Sequence, residues 1–593
     1  MTTRSTRSPR RRTVVALAVV LAVLSGFVVR LVDIQVVNAR EHVADSLALG
    51  LEATRPLYGT RGSIVDENGA TLAGSILRYD AQLDPSRVDA ITRKDASGDK
   101  VTVTWPELAA EIAGITGQTP DEVQKIVTDA KAENPDSQYA LLTRGLSTEQ
   151  YQRLRGLGIP FLYFEPHPAR TYPDGAVAGN LVGFMGTDGP LAGLEEIDND
   201  CLTPTDGSLT FQRGKDGVTI PGTAVEKPAV DGGTLQLTVN RDLQWYLQQL
   251  IAEQAQNVGA KSGTITVVEV GTGKVRAMAE WPTVDPNNVN GSAPEDRGSR
   301  IFTNSFEPGS TFKALTASIA IDAGGATPGS TVSAASKETM PNGATVRDPF
   351  VHPVNNYTLT GVLIDSSNVG ISKFGDTVPA QTRYDYLRAF GIGSGSAIDF
   401  GEKSAGDLRD PSNWDNQTYY NTNFGQGLTT TVPELVNAYQ TIANGGVRMP
   451  LSLVEGCTAS DGTVTDVPDA TGQRVISADT ASDVSLMLEN VATQGTLAKQ
   501  VAIPGYRLAI KTGTGEKPDG DGGYKNGAYF TTMIGFAPAE NPQYVVAVTL
   551  DEPSTVKSSA ANAPAFQKAM TQVLKTYRVM PSDSTTPELP KFG

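Results

Sequence analysis

The hydrophobic and polar positions change their rhythm along the chain, and each change predicts an element. Residues 13–29 (TVVALAVVLAVLSGFVV) are continuously apolar. A membrane-spanning helix needs about 17–25 such residues, and Leu31 and Val32 lengthen the run if Arg30 snorkels to the interface. Residues 58–80 alternate on either side of Glu67-Asn68-Gly69, and Asn-Gly between apolar runs predicts a tight hairpin. Residues 105–157 follow a helical period. Thr119-Pro120-Asp121-Glu122 there is a capping box with proline at the first helical position, and Ser147-Thr-Glu-Gln150 is a second cap. Residues 170–223 are rich in Gly, Asp and Pro and predict short strands and loops. The polar stretch Glu226-Lys-Pro-Ala-Val-Asp-Gly-Gly233 reads as a domain junction.

Beyond residue 233 the pattern is mixed. Leu235–Val239 predicts a short strand and Asp242–Val258 an amphipathic helix. Thr264–Val270 and Lys274–Glu280 predict strands joined by Gly271-Thr272-Gly273. A long helical stretch begins at Ser310. Strand patterns return at Tyr506–Thr512, Tyr529–Phe536 and Tyr544–Leu550, and Ala560–Tyr577 predicts a closing helix. Strands at both ends with helices between them predict an α+β domain over residues 234–580, built on an antiparallel sheet. The Pro/Ser/Thr-rich residues 581–593 read as a disordered tail.

Composition narrows the chemistry. The 593 residues carry a net charge of −16, which argues against a nucleic-acid groove or a basic membrane patch as the working surface. Arg4, Arg7, Arg10, Arg11 and Arg12 precede the apolar run, and no Ala-x-Ala cleavage site closes it. The expectation is an uncleaved signal-anchor: residues 1–12 in the cytoplasm, 13–32 in the membrane and the rest outside. Two cysteines and three histidines (His42, His167, His352) leave no basis for a Cys/His zinc site or a disulfide framework, and no metal or cofactor is expected. Acyl-transfer chemistry would need a base other than histidine. Cys201 and Cys457 could pair in an oxidising compartment, but they fall in different predicted domains and are expected as two lone buried thiols.

Three short strings carry candidate chemistry: Ser310-Thr-Phe-Lys313, Ser366-Ser367-Asn368 and Lys511-Thr512-Gly513. Singly they are weak, since Ser97-Gly-Asp-Lys100, Ser554-Thr-Val-Lys557 and Lys261-Ser262-Gly263 imitate them. Context separates them. Ser310 follows Glu307-Pro308-Gly309, a helix-start signal, and precedes the apolar run ALTASIAIDAG. Residues i and i+3 share a helix face, so Ser310 and Lys313 can touch. A buried lysine loses part of its preference for charge and can act as a base, which activates a serine without histidine. Ser366 is expected in a loop between helices and Lys511 at the end of an alternating strand. Glu434 in Pro433-Glu-Leu-Val-Asn437 reads as a helix-start glutamate. Asp519-Gly-Asp521-Gly-Gly523 reads as a hairpin loop without the later glutamate of a calcium loop, and His352 as a surface or capping residue.

The ordered set Ser-x-x-Lys, Ser-x-Asn, Lys-Thr-Gly resembles the penicillin-interacting serine acyltransferases: penicillin-binding proteins and serine β-lactamases. Arg61-Gly-x-Ile64-x-Asp66-x-Asn68-Gly69-x-x-Leu72-Ala73 resembles the first signature of class B penicillin-binding proteins. Arg170-Thr-Tyr172-Pro173 and Gly193-Leu194-Glu195 resemble their later pedestal motifs, and Phe424-Gly-Gln-Gly427 and Ile534-Gly-Phe-Ala-Pro538 their transpeptidase segments. Cys201-Leu202-Thr203-Pro204 departs from the family pattern, which has a Leu-x-Gly turn there. Arg30-Leu-Val-Asp-Ile-Gln35 and the lack of a module after Lys575 lean toward the septal, cell-division subgroup.

The resemblance implies a penicillin-binding/serine β-lactamase-like transpeptidase domain (residues 234–580) preceded by an elongated α/β pedestal (33–233) and a single transmembrane helix. It implies crosslinking of peptidoglycan stem peptides through an acyl-enzyme on D-Ala-D-Ala, with β-lactams as covalent inhibitors. Ser310 would be the nucleophile, Lys313 its base and Ser366 the proton relay. Asn368 would hold Lys313 and the substrate amide. Lys511 and Thr512 would face the terminal carboxylate, beside Gly513. The backbone N–H groups of Ser310 and Thr514 would form the oxyanion hole. The implied partners are a SEDS-family glycosyltransferase and divisome membrane proteins, at the division septum. A β-lactamase- or carboxypeptidase-like hydrolase and a non-catalytic division scaffold are the alternatives.

Overall fold

The computed structural model describes residues 9–38, 52–94, 97–213, 219–401, 403–520 and 523–593. Arg4, Arg7, His42 and Asp521, all named above, lie outside them. The described residues form two compact units.

The first unit comprises the residues up to Gly59 together with Pro204–Val230. It holds helix α1 (Pro9–Val32), in which Thr13–Val32 is long and apolar enough to cross a membrane and contains no buried residue. Strand β1 (Glu52–Leu57) also belongs here and pairs antiparallel with Gly207–Gln212, which pairs in turn with Val225–Lys227.

The second unit, Thr60–Thr203 with Asp231–Gly593, begins with a hairpin of β2 (Ile64–Val65) and β3 (Thr71–Leu83). Its turn forms because Asp66 Oδ1 accepts from the backbone N–H of Asn68 and Ala70, while Gly69 takes a φ of +82°. Helices α2 (Trp105–Thr116), α3 (Pro120–Glu133) and α4 (Thr148–Gly156) follow. Both predicted capping boxes are present: Thr119 pairs with Glu122 and Ser147 with Gln150. Their apolar faces pack with Ala81 and Leu83 of β3 and with Phe161 in a core of their own.

Strand β4 (Thr234–Leu237) corrects an expectation. The sequence pattern makes it the opening strand of the catalytic domain. Instead it lies parallel to β2 on one side and antiparallel to Val454–Thr458 on the other. One mixed sheet therefore spans the predicted junction at residue 233. It also brings the cysteines together: Cys201 and Cys457 form a disulfide, with Cα atoms 6.0 Å apart. The expectation of two lone thiols fails because it treated the two regions as separately folded.

A second sheet is five-stranded and antiparallel among the described residues. It comprises β5 (Ser262–Glu269), β6 (Val275–Trp281), β7 (Ala509–Pro518), β8 (Tyr524–Ala537) and β9 (Tyr544–Asp551), in the order β6-β5-β9-β8-β7. β5 and β9 are buried on both faces, and Val267, Val268, Val546 and Val548 are inaccessible to solvent. One face carries helices Arg241–Val258 and Ala563–Thr576. Against the other lie Val432–Ala443 and Ala478–Gln494, and the helix Lys313–Asp322 packs on the latter. Strand β7 forms the sheet edge next to the Ser310 turn. It does not end at Lys511 as the alternation suggests, but continues to Pro518. Gly513 and Gly515 permit this, since a Cβ on Gly513 would sit 2.6 Å from the Pro308 carbonyl oxygen and one on Gly515 would strike that of Glu307.

Residues 581–593 are ordered rather than a disordered tail. Their backbone groups pair with Gly505, Asn490, Gln494, Thr358 and Asn356. Polar composition suggested disorder, but the bonding partners come from distant elements.

Candidate active site

Ser310 sits in a short 3-10 turn, Gly309–Phe312, that feeds directly into the helix beginning at Lys313. The turn packs close to β7: a Cβ on Gly309, whose φ is +54°, would lie 2.7 Å from the Thr514 carbonyl oxygen. Lys313 is fully buried beneath the cleft. Its Nζ reaches Ser310 Oγ at 3.0 Å and Ser366 Oγ at 3.1 Å, and it donates to the Ser366 carbonyl. Lys511 Nζ approaches the same Ser366 Oγ from the other side, at 3.1 Å, and donates to the Thr512 carbonyl at 3.2 Å. A chain of hydrogen-bonding atoms thus runs from Ser310 Oγ through Lys313 Nζ and Ser366 Oγ to Lys511 Nζ.

Burial governs the charges of the two lysines. Desolvation, reinforced by the neighbouring Lys511 and opposed by Asp348, holds Lys313 well below the ordinary lysine range. Desolvation pushes Lys511 down to about 7. A neutral Lys313 has a lone pair for the serine proton, and Lys511 is poised to gain charge when an anion enters.

Ser366 occupies the loop between Leu359–Ile364 and Asn368–Gly375 and has a φ of +57°, rare for a residue with a Cβ. Such a conformation persists only when its surroundings enforce it. On one side Ser367 Oγ donates to Asp348 Oδ2 at 2.7 Å, and Val369 N to Asp348 Oδ1 at 2.9 Å. On the other, Asp365 receives the Tyr357 hydroxyl and the Lys591 ammonium. Asp348 also receives the His352 ring at 2.8 Å. His352 is therefore not a surface group: its side chain is packed into this cluster. The Asn368 amide donates to the Arg347 carbonyl at 2.8 Å, and among the described residues its side chain makes no hydrogen bond to Lys313, whose Nζ is bonded to Ser310 and Ser366.

Ser310, Ser366, Asn368, Thr512, Gly513 and Thr514 line one cavity of about 290 Å³, with Lys313 and Lys511 buried beneath it. Phe424 and Gln426, Pro349, and Ser558 with Ser559 complete the wall. The last three come from loops that carry no motif, so sequence reasoning had no signal for them. A larger cavity, about 930 Å³, is lined by residues such as Ala492, Tyr506 and Ser584 and by none of the residues of the Ser310 cavity.

Two further groups brace the cleft. Glu307 accepts from Gly427 N at 2.9 Å and from the Tyr524 hydroxyl at 3.0 Å, tying the Ser310 turn to the 424–427 loop and to β8. Burial pushes its carboxyl up to about 7. Glu434 is a helix cap: its carboxylate receives the N–H groups of Gly395, Gly406 and Thr431 and the Thr430 hydroxyl. Both of its oxygens accept hydrogen bonds from these neighbours.

Three predicted pedestal motifs converge on one carboxylate. Glu195, with no exposed surface, receives Arg61 Nε at 2.8 Å, Arg170 Nε at 2.5 Å and the Tyr172 hydroxyl at 3.2 Å.

The sequence matches the penicillin binding protein transpeptidase domain over residues 263–571 and the penicillin-binding protein dimerisation domain over residues 56–190. The chain belongs to the class B penicillin-binding proteins. It is 34% identical to penicillin-binding protein PbpB of Mycolicibacterium smegmatis, an alignment covering 96% of this chain and 91% of that one. It is 30% identical to the peptidoglycan D,D-transpeptidase FtsI of Escherichia coli K12, over 90% and 86% of the two chains. Its fold is similar to the crystal structure of penicillin binding protein 3 from Mycobacterium tuberculosis complexed with aztreonam, with a TM-score of 0.68 and 28% identity over 91% of this chain and 100% of that one. This penicillin-binding protein is therefore an enzyme of the transpeptidase class, and the cavity at Ser310 lies within its transpeptidase domain.

Proposed function

We propose that this penicillin-binding protein crosslinks peptidoglycan through a Ser310 acyl-enzyme formed on D-Ala-D-Ala stem peptides, on the outer face of the cytoplasmic membrane during septal wall synthesis. The observation that carries this reading is the hydrogen-bonded chain from Ser310 Oγ through the buried Lys313 Nζ and the Ser366 hydroxyl to the buried Lys511 Nζ. Ser310 Oγ attacks the carbonyl carbon of the penultimate D-Ala while Lys313 Nζ takes its proton. Negative charge develops on the carbonyl oxygen, which the backbone N–H groups of Ser310 and Thr514 receive; one such donor contributes about 3–4 kcal/mol. The Ser366 hydroxyl passes a proton from Lys313 to the departing amine of the terminal D-Ala. Lys511 and Thr512 bind the terminal carboxylate, whose charge restores the Lys511 proton. The donor peptide lies along the free edge of β7 as an added strand, and Asn368 meets its amide.

An amine of a second stem peptide then attacks the ester carbonyl and loses its proton to Lys313, which passes it to Ser310 Oγ as the ester C–O bond breaks, restoring the Ser310 hydroxyl. A β-lactam takes the donor's place, and its ring opens onto Ser310. With Glu434 committed to capping, water removes the acyl group slowly, which separates this reading from a β-lactamase. Residues 33–233 serve as the pedestal and 234–580 as the catalytic domain. The helix Thr13–Val32 anchors the chain with its arginine-rich end in the cytoplasm and pairs, with the pedestal, to a SEDS-family glycosyltransferase among other division proteins.

The test uses the full-length chain in detergent with a synthetic donor ending in D-Ala-D-Ala. The expected result is release of one D-Ala per new amide bond when an amine acceptor is present, and none from Ser310→Ala. D-Ala released at the same rate with no amide product would make the enzyme a carboxypeptidase. Cells complemented by Ser310→Ala would favour the scaffold.

A further inference from the structure

Residues 581–593 contain Pro581, Pro587 and Pro590, which preclude a helix. The segment instead runs extended across the catalytic domain, fastened by side chains it meets on the way. Ser582 Oγ accepts from Arg507 N at 2.9 Å. The fully buried Asn490 donates to the Pro587 carbonyl at 3.1 Å and accepts from Leu589 N at 2.9 Å.

Beyond Leu589, the residues Pro590, Lys591 and Phe592 meet the two ends of one helix, Leu359–Ile364, which leads to Ser366. At the N-terminal end, Thr358 is the helix cap, its Oγ1 accepting from Gly361 N at 2.8 Å. The same hydroxyl donates to the Pro590 carbonyl at 2.6 Å, and Thr358 N donates to that of Lys591 at 3.2 Å. At the C-terminal end, Lys591 Nζ meets Asp365 at 2.5 Å, and the Phe592 ring packs on Tyr357, whose hydroxyl also reaches Asp365. Asp365 immediately precedes the positive-φ Ser366. The fit leaves no slack: a Cβ on Gly361 would run into the Lys591 carbonyl.

We infer that residues 589–593 are a positioning strap for Ser366, holding both ends of this helix so that the Ser366 hydroxyl stays between Lys313 and Lys511. Lys591 and Phe592 touch no reacting atom and act through Asp365 and Tyr357. The inference rests on the reading of Ser310 as the acylated serine.

The experiment measures acylation of the full-length chain in detergent by a fluorescent penicillin, recording both the second-order rate constant and the fraction labelled at completion, from pH 5 to 10. Lys591→Gln is expected to slow acylation about tenfold and change the pH profile, with the final labelled fraction unchanged. Lys591→Arg, which keeps the ion pair, is expected to restore the rate, and deletion of 589–593 to slow it further. Wild-type rates and profiles in both Lys591→Gln and the deletion would overturn the strap. So would a smaller labelled fraction reacting at the wild-type rate, which marks a stability role alone. A wild-type chain that takes no penicillin would instead defeat the reading of Ser310.

Discussion

Lys511 offers the sharpest test of the site's electrostatics. Its Nζ is buried, and among the described residues its hydrogen-bond partners are the Ser366 hydroxyl and the Thr512 carbonyl. A fall from 10.5 to about 7 corresponds to a desolvation penalty on the charged form of roughly 5 kcal/mol, at about 1.4 kcal/mol per unit. The ammonium is the form that binds a carboxylate, so activity is lost as pH rises through about 7 in the free enzyme. At pH 8 only about one free molecule in ten carries the charge, and each further unit lowers that fraction about tenfold. The acylation rate constant at low inhibitor concentration reports the free enzyme, and should therefore fall about tenfold per pH unit on the alkaline side. The acid side falls as Lys313, the neutral base, takes up a proton. Because both lysines meet at Ser366 Oγ, the two apparent values belong to the pair. Lys511→Arg keeps its charge throughout, so its alkaline limb should flatten up to pH 10 whatever its absolute rate. The assay is acylation by a carboxylate-bearing β-lactam across pH 5–10. An alkaline limb that stays in place in Lys511→Arg, or a wild-type limb above pH 9.5, would refute the argument.

Three other perturbations follow from the same geometry. Ser366→Ala removes the hydroxyl that both lysines share and should slow acylation by about 10²–10⁴, the usual range for a proton-transfer group; a rate within threefold of wild type would remove Ser366 from the relay. Gly513→Ala puts a Cβ 2.6 Å from the Pro308 carbonyl oxygen and 2.9 Å from Thr311 Cγ2, so β7 must move off the Ser310 turn. Acylation should drop at least tenfold while the melting temperature changes little, which rate and calorimetry together check. Replacing Cys201 and Cys457 by serine opens a link spanning 256 residues. Loss of about 2–5 kcal/mol of stability is expected, seen as a lower denaturation midpoint, with the acylation rate constant of the folded protein unchanged.

What could be read from sequence was local or ordered. Thr119 with Glu122, Ser147 with Gln150 and the Asn68-Gly69 turn are short-range patterns whose energetics lie within a few residues. The serine and lysine motifs were legible because their order is itself a signal, even though 145 residues separate Ser366 from Lys511. The missed features all depend on distant partners. Asp348 stands in no motif and matters only because folding puts Ser367, Val369 and His352 around it. Residues 581–593 read as disordered because their few apolar groups cannot build a core; Asn490, Arg507 and Thr358 supply the missing bonds from afar. The disulfide was hidden by the assumption that a polar junction divides two independent folds, whereas β4 joins them in one sheet. Asn368 was placed on Lys313 by resemblance; its amide bonds Arg347 instead.

In the proposed mechanism Ser310 is the acylated nucleophile, activated by the buried Lys313, and its acyl ester is hydrolysed slowly. Intact-mass analysis of the full-length chain with benzylpenicillin, beside Ser310→Ala, tests it most directly. The account predicts one penicilloyl adduct on the wild type, stable for many minutes, and none on the variant. An adduct on Ser310→Ala, or a folded wild type that takes none, would contradict it.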